Sequence, residues 1–170
     1  MNKAILPHAF ERIDRPLTRW MARNGVLLLR LSVGVVFVWF GVLKFVPGLS
    51  AADSLATRTI ATLTFGVVPP YVSRVVLAAW ETGIGLGLLS GKFVRGTLLL
   101  LFLQMLGTIT PLVLFIDETW KVPFLVPTLE GQYIIKNLVL MSAGLVIGAT
   151  VRGGGMSDKP NFSRSFIPRN

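Results

Sequence analysis

Residues 75–89 read VVLAAWETGIGLGLL, an apolar and glycine-rich stretch that contains a single carboxylate, Glu81. An uninterrupted segment of this hydrophobicity predicts a helix that crosses a lipid bilayer. An ionisable side chain in such a helix is costly unless it has a partner or reaches a water-filled cavity. Glu81 therefore marks the place where a partner, and with it a functional site, is to be sought.

The whole chain has the composition of a membrane protein. Its 170 residues are 52% hydrophobic and only 15% charged, and its mean hydropathy is +0.67. It contains no cysteine and a single histidine, His8, which lies outside every long apolar segment. Disulfides, thiol redox chemistry, iron–sulfur clusters, zinc sites and an internal bis-histidine haem are therefore not expected.

Four long apolar segments predict four membrane-spanning helices. Each is about 20 residues long, which is enough for a helix to cross about 30 Å of hydrocarbon. The segments are residues 25–45, 71–89, 96–116 and 133–151. A segment in lipid must satisfy its own backbone hydrogen bonds, so the predicted fold is an all-α bundle of four transmembrane helices.

The predicted domain organisation has three parts. Residues 1–24 form a basic cytoplasmic segment, which is either an interfacial helix or an irregular tail. Residues 25–151 form the transmembrane domain, and residues 152–170 form a flexible cytoplasmic tail. The lipid bilayer is thus the main predicted partner.

Lysine and arginine are distributed unevenly between the two sides of this membrane domain. The N-terminal segment, the connection at residues 90–96 and the C-terminal tail carry most of them. The positive-inside rule therefore places both termini in the cytoplasm. The same distribution accounts for the net charge of +9, so no nucleic-acid partner is expected.

The first connection on the opposite side is predicted to contain a short helix. Residues 50–66 begin with Ser50 and Asp53 at the spacing of a capping box and end at Gly66. We expect this helix to lie on the outer surface of the membrane.

The third apolar segment has a polar face and a proline. Gln104, Thr108 and Pro111 share one side of a helix, and Pro111 predicts a kink. The connection that follows contains Pro123 and Pro127 and is predicted to be irregular.

Arg30, in the first span, is the preferred partner for Glu81. Counted from the cytoplasmic ends of the two predicted spans, their backbones differ in depth by about 5 Å, which an arginine side chain can cover. Such a buried pair either fixes the register of the helices or takes part in ligand or proton handling. Double charge reversal separates the two interpretations, because a purely structural pair would recover both folding and function.

Glycines accompany these charges on the same helix faces. Gly34 and Gly41 share a face with Arg30, and Gly85 shares one with Glu81. In the fourth span, two further glycines have GxxxG spacing, namely Gly144 and Gly148. Small residues at these positions predict close helix packing, and the GxxxG pair is also compatible with dimerisation.

A second polar group lies at the predicted outer ends of the spans. Its members are cations at helix ends together with neighbouring amide and aromatic side chains: Lys44, Arg74, Lys136, Gln132, Tyr133 and Asn137. One interpretation is a site for a quinone head group or a small anion. The simpler and preferred one is a set of snorkelling cations beside an interfacial aromatic belt.

Three motifs of the chain resemble the DoxX-like superfamily. They are LRLSVGVVFVWFGVLKFVPG at residues 29–48, AWETGIGLGLLSGKFVRG at 79–96 and PTLEGQYIIKNLVLMSAGLV at 127–146. The GQY-x-x-KN signature in the third is similar to that of the YkgB-type inner-membrane branch. The resemblance covers roughly residues 25–151 and implies a compact four-helix bundle in the bacterial inner membrane.

The resemblance also implies functional positions and a redox context. The family motifs fall on charged, polar and glycine positions of this chain: Arg30, Gly41, Lys44, Glu81, Gly91, Gln132, Tyr133, Lys136 and Asn137. Relatives include subunits linked to thiosulfate oxidation with quinone reduction, partners of redox-stress enzymes and a protein associated with reactive-chlorine resistance. The family as a whole has no single established reaction.

Three functions therefore remain open at the level of the sequence. The leading hypothesis is a redox- or stress-associated membrane protein that binds a quinone-like or small anionic ligand, as a subunit of a complex with a redox enzyme or as a homo-oligomer. The second is a transporter or channel for a small solute or ion, and the third is a scaffold without chemistry of its own.

Overall fold

The computed structural model describes residues 8–154, with side chains from residue 14 onward. Seven helices and one small hairpin follow each other along this part of the chain. The helices are α1 His8–Leu43, α2 Asp53–Leu63, α3 Pro70–Ser90, α4 Val94–Ile109, α5 Pro111–Leu114, α6 Ile116–Thr119 and α7 Leu129–Thr150. The strands are β1 Trp120–Val122 and β2 Val126–Pro127. Most of the predicted C-terminal tail lies outside the described residues.

Four of these helical segments are long and apolar enough to cross a membrane. They are Asp14–Leu43, Pro70–Ser90, Val94–Leu114 and Leu129–Thr150. The prediction of a four-helix membrane protein is confirmed. Large hydrophobic side chains such as Trp39, Leu99, Val139 and Leu145 are exposed on the outer faces of the bundle, where a bilayer would cover them.

The four spanning helices form a closed ring. α1 packs against α3 and α7, and α4 packs against the same two helices. Their inward faces meet in a core that includes Ile84, Leu88, Leu101 and Ile147. The α3–α4 turn and the last residues of α7 lie at one end of the ring, called here the terminal end, whereas α2 and the hairpin lie at the opposite, hairpin end.

Glycines bring α1 and α3 into direct backbone contact. A Cβ atom built on Gly85 would lie 2.5 Å from the backbone N of Val38 and 2.7 Å from the carbonyl O of Gly34. A Cβ atom on Gly41 would lie 2.6 Å from the backbone N of Thr82. Because neither backbone can move aside, only glycine permits this approach, which fixes the register of α1 against α3.

The GxxxG pair of α7 packs within the chain. A Cβ atom on Gly144 would lie 3.2 Å from Phe102, and one on Gly148 would lie 3.3 Å from Leu98. Both neighbours belong to α4, so these glycines form part of the α4–α7 contact.

The connection between α1 and α3 contains the predicted short helix, but it begins differently. α2 starts at Asp53 with Ala52 as the N-cap, and no side chain caps it. The predicted capping box is therefore wrong, because the Ser50 carbonyl accepts a turn hydrogen bond from the backbone N–H of Asp53. Gly66, at φ +78°, ends the segment as expected, and its N–H donates to the carbonyl of Ala61.

The third span breaks at Pro111, where a kink was predicted. α4 ends at Ile109 and α5 begins at Pro111, because proline has no N–H for the preceding turn. The connection after α5 is more regular than expected. It contains α6 and a two-stranded antiparallel hairpin in which Trp120 pairs with Pro127.

The first helix is longer than the predicted first span. α1 runs without interruption from His8 to Leu43 and includes Pro16. Side chains at Arg15, Arg19 and Arg23 are exposed on it. The onset of the apolar segment at residue 25 is therefore not the beginning of the helix.

Candidate functional site

Glu81 lies in a cluster of three polar side chains inside the bundle. The Nζ atom of Lys44 donates a hydrogen bond to Glu81 Oε2 over 2.6 Å. The Nε2 atom of Gln104 donates to Glu81 Oε1 over 2.8 Å. Each carboxylate oxygen thus has one donor, and the three residues, called here the Glu81 cluster, come from three different parts of the chain.

Local structure explains why these side chains meet. Lys44 follows α1 directly and lies three residues beyond Gly41, so it projects from the face of α1 that touches α3. Glu81 is on the inward face of α3, next to the buried Ala78 and Gly85. Gln104 is beside the buried Met105 on α4. The close glycine contact between α1 and α3 therefore places the ammonium group within reach of the acid.

The cluster is largely withdrawn from its surroundings. The side chain of Lys44 is 9% exposed and that of Glu81 is 13% exposed. Ionised groups in so apolar a setting require each other, because neither has bulk water as an alternative partner. The hydroxyl of Thr82, next along α3, is also buried and makes no hydrogen bond.

The predicted pair of Arg30 and Glu81 is wrong. The guanidinium of Arg30 lies against Gly91, since a Cβ atom on that glycine would be 2.5 Å from Arg30 Nη1. Gly91 is ten positions beyond Glu81, which corresponds to about 15 Å along a helix. Arg30 and Glu81 are therefore at different depths in the bundle.

The reason is the register of α1 against α3. The prediction aligned the two helices by the ends of their apolar segments, but α1 continues far beyond its apolar segment. The glycine contacts instead place Gly41 beside Thr82 and Gly34 beside Leu89. This alignment moves Arg30 to the terminal end of the bundle and leaves Lys44 opposite Glu81.

The predicted outer-mouth cluster separates into individual contacts. Lys44 joins the Glu81 cluster, whereas Arg74 forms an ion pair with Asp53 of α2, with 3.6 Å between Nη1 and Oδ2. Arg74 also lies over the Tyr71 ring, at 5.7 Å from its centroid. This arrangement fastens α2 to α3.

Among the described residues, the α7 members of that predicted cluster make no hydrogen bond or ion pair with the Glu81 cluster. Lys136 is exposed and stands over the ring of its neighbour Tyr133, 5.3 Å from the centroid. Gln132 is exposed and Asn137 is half-buried on the same helix. The Lys136–Tyr133 contact has the geometry of a snorkelling cation beside an interfacial aromatic ring.

A further ion pair joins two residues that the sequence did not mark as candidates. Arg58 of α2 donates two hydrogen bonds to the carboxylate of Glu118 of α6, one of them 2.8 Å long. Arg58 also lies over the Phe115 ring, 5.1 Å from its centroid. The hydrogen bond from Arg58 lowers the pKa of Glu118, and the same bond raises the pKa of Arg58. Sixty positions separate these residues, and no local pattern connects them.

The sequence predicts a polar helix face that includes Gln104, but it does not predict the hydrogen bond from Gln104 to Glu81. Its spacing with Thr108 placed it correctly on one side of α4, where both are half-buried. The missing information was which helix that side faces. The signal available from the sequence was only that an amide in an apolar helix requires a polar neighbour.

Comparisons with known proteins give one match. A family model described as DoxX matches residues 25–116, which is more than half of the chain. The matched region contains Lys44, Glu81 and Gln104, and it ends before α7. The search of curated proteins returns no match, and the search of solved structures returns none either.

Proposed function

The chain belongs to the DoxX family, and from this premise we propose that it is a redox-associated membrane protein that binds a quinone-like head group at the Glu81 cluster. The observation that carries the proposal is the meeting of Lys44, Glu81 and Gln104 inside an apolar helix bundle. An apolar ring with polar carbonyl groups requires hydrogen-bond donors within a lipid-accessible, apolar environment.

The cluster retains hydrogen-bonding capacity beyond its internal contacts. An ammonium group has three donors, and Lys44 uses one of them on Glu81. The amide of Gln104 likewise keeps a second N–H and its carbonyl oxygen. The buried Thr82 hydroxyl is without a partner beside them. The Thr82 hydroxyl lies in the close α1–α3 contact, where a Cβ atom on Gly41 would be 2.7 Å from it, so the fit of a head group rests on the spare donors of Lys44 and Gln104.

Each residue has a distinct role in the proposed site. Lys44 donates to an oxygen of the head group. Gln104 orients the Glu81 carboxylate by one hydrogen bond and donates its second N–H to the head group. Glu81 holds the Lys44 ammonium group in place through the contact at Oε2. A bound quinone would supply the two-electron chemistry, with the electrons coming from a redox-enzyme partner.

Binding of a short-chain quinone tests this proposal. Protein in nanodiscs is titrated with ubiquinone-1 by isothermal titration calorimetry. We expect saturable binding that Lys44→Met and Gln104→Leu each weaken by about tenfold, the effect of losing one good hydrogen bond in an apolar site. Lys121→Met is the matched control, because Lys121 is an exposed lysine of the hairpin. Absence of saturable binding, or equal weakening by the control, contradicts the proposal.

A second function is favoured by one feature of the same cluster. Both oxygens of Glu81 are already bonded within the protein, as expected if the ion pair only fixes helix register in an accessory subunit or scaffold. The double variant Lys44→Glu with Glu81→Lys separates the two functions. If the pair is only structural, the double variant folds and its titration with ubiquinone-1 is the same as that of the wild type. If the cluster binds the head group, the double variant folds but does not recover ubiquinone-1 binding.

The proposal includes the placement of the chain in the bacterial inner membrane with both termini in the cytoplasm, in the manner of the YkgB-type branch. It also includes a cytoplasmic segment at residues 1–24 and a cytoplasmic tail at 152–170. Exposed cations at the terminal end support it, among them Lys92, Arg95 and Arg152. Reporter fusions at residue 170 and within the hairpin test it: activity of a periplasm-dependent reporter at residue 170 contradicts the placement.

A further inference from the structure

A cavity at the terminal end of the bundle has no role in the proposed function. Its volume is about 320 Å³, and it lies between α1, the α3–α4 turn and the end of α7. Its walls are mainly aliphatic, including Leu27, Val94, Ile147 and Val151, and its polar side chains are those of Arg30 and Thr150. It is therefore a mainly aliphatic recess with one cation and one hydroxyl group at its side.

Arg30 has no counter-charge among the residues that the structure describes. The ion pairs there involve Lys44, Arg58 and Arg74. The Nε atom of Arg30 is buried and makes no hydrogen bond. This atom is therefore held away from water without an acceptor. Arg30 therefore brings to the cavity a positive charge that no described carboxylate balances.

The position of Arg30 matches the edge of the hydrocarbon layer. α3 has 21 residues, and a helix of that length spans about 31 Å, close to the hydrocarbon thickness of a bilayer. Gly91, which directly follows α3, touches the Arg30 guanidinium. The cation is therefore near the depth of lipid phosphate groups. Ile147, one helical turn before Val151 at the end of α7, lies deeper in the bundle, at the depth of acyl chains.

Nearby charges favour an acidic ligand. Lys92 and Arg95 are exposed in and after the α3–α4 turn, and Arg23 and Arg152 are exposed at the adjoining ends of α1 and α7. Basic residues at a membrane surface attract anionic lipids. A guanidinium group also matches the geometry of a phosphate better than a point charge does.

We propose that this cavity binds an acidic membrane lipid, with the phosphate on Arg30 and an acyl chain against Val94 and Ile147. The site is distinct from the Glu81 cluster, so lipid binding at this cavity does not depend on whether the Glu81 cluster binds a quinone. The guanidinium group of Arg30 would recognise a lipid phosphate and a free phosphate in the same way. The aliphatic walls are what select the lipid.

Native mass spectrometry tests the proposal. The full-length protein is released from nanodiscs made of phosphatidylcholine and phosphatidylglycerol, and the retained lipids are counted. Wild-type protein is expected to retain one phosphatidylglycerol. Arg30→Gln is expected to reduce that retention by about tenfold, because a charge-assisted phosphate contact is lost. Arg19→Gln, at an exposed arginine of the same helix that is farther from the cavity, is the matched control and is expected to retain the lipid.

A second variant tests the cavity itself while keeping the charge. Val151→Trp fills the recess and should abolish retention, whereas Val139→Trp, on the exposed face of α7, should not. Thermal unfolding in phosphatidylcholine alone shows whether each variant is folded. Equal retention of phosphatidylglycerol by wild type and Arg30→Gln overturns the proposal. Retention of phosphatidylcholine to the same extent as phosphatidylglycerol also overturns it. Stabilisation by inorganic phosphate that depends on Arg30, without lipid retention, overturns the assignment to a lipid.

Discussion

Two ion pairs of this protein differ in their hydrogen bonds and in their exposure to water, because the pair with more hydrogen bonds is the more exposed one. Arg58 and Glu118 form two hydrogen bonds, but their side chains are 48% and 45% exposed. Lys44 and Glu81 form one, with side chains that are 9% and 13% exposed. The pair with the better geometry is expected to contribute less to stability, because water and salt replace an exposed partner but not a buried one.

Removal of Glu81 is expected to have the largest effect. Glu81→Ala leaves the Lys44 ammonium buried without its partner, and we expect a loss of about 3–5 kcal/mol in the free energy of unfolding. SDS-induced unfolding of purified protein, followed by tryptophan fluorescence, measures it. Glu118→Ala is the control in the exposed pair. Equal losses in the two variants would show that burial does not distinguish the pairs.

The backbone contact that aligns the buried pair is expected to have the next largest effect. In Gly85→Ala the new Cβ atom meets the backbone of α1 at 2.5 Å, so α1 and α3 must separate. We expect a loss of about 1–3 kcal/mol, as for other overpacked sites. Gly83→Ala is the matched control on the same helix, since a Cβ atom there meets nothing within 4 Å. Unfolding in SDS should leave Gly83→Ala at least as stable as wild type, because alanine favours helix more than glycine does.

Truncation of the exposed pair is expected to have a small effect that depends on salt. Arg58→Ala removes both hydrogen bonds to Glu118 and the contact with Phe115. Thermal unfolding at low and high ionic strength should show a small decrease in melting temperature that diminishes as salt screens the pair. A decrease as large as that of Glu81→Ala, unchanged by salt, would contradict this expectation.

The pH dependence of the exposed pair is expected to be the smallest effect. Arg58 holds the pKa of Glu118 below its ordinary value. The stabilisation is therefore complete above the unfolded-state pKa, about 4.3 for glutamate, and is lost as the pH falls through the lower folded-state pKa. A pH series of melting temperatures for wild type and Glu118→Gln measures it. The two curves should converge at acidic pH, and parallel curves down to that range would contradict the assignment.

The two charged regions also show which features of the structure a sequence pattern can predict. Helix faces were assigned correctly where they depended on one helix: Ala78, Glu81 and Gly85 do line the inward side of α3. The partner of Glu81 was assigned wrongly, because it depends on how α1 slides against α3. Hydrophobic length defines a span only to within several residues, and each residue of error shifts a partner by about 1.5 Å.

Contacts between distant connections were beyond prediction for a related reason. Ser50 and Asp53 had the spacing of a capping box, yet the chain enters α2 through a turn without a side-chain cap. Arg58 and Glu118 meet because α2 and α6 are both carried by the same end of the bundle. Such contacts follow from the packed arrangement of the spans, which no short window of sequence contains.

The amino-acid sequence by itself determined the four spans, their apolar outward faces and the membership of glycines and polar residues in particular helix faces. Those properties depend on hydrophobicity and helical periodicity, which act within one segment. Tertiary structure alone decided that Lys44 and Gln104, and not Arg30, surround Glu81. The physical reason is steric: the approach of Gly34 and Gly41 to α3 selects one register, and that register decides which charges share a depth.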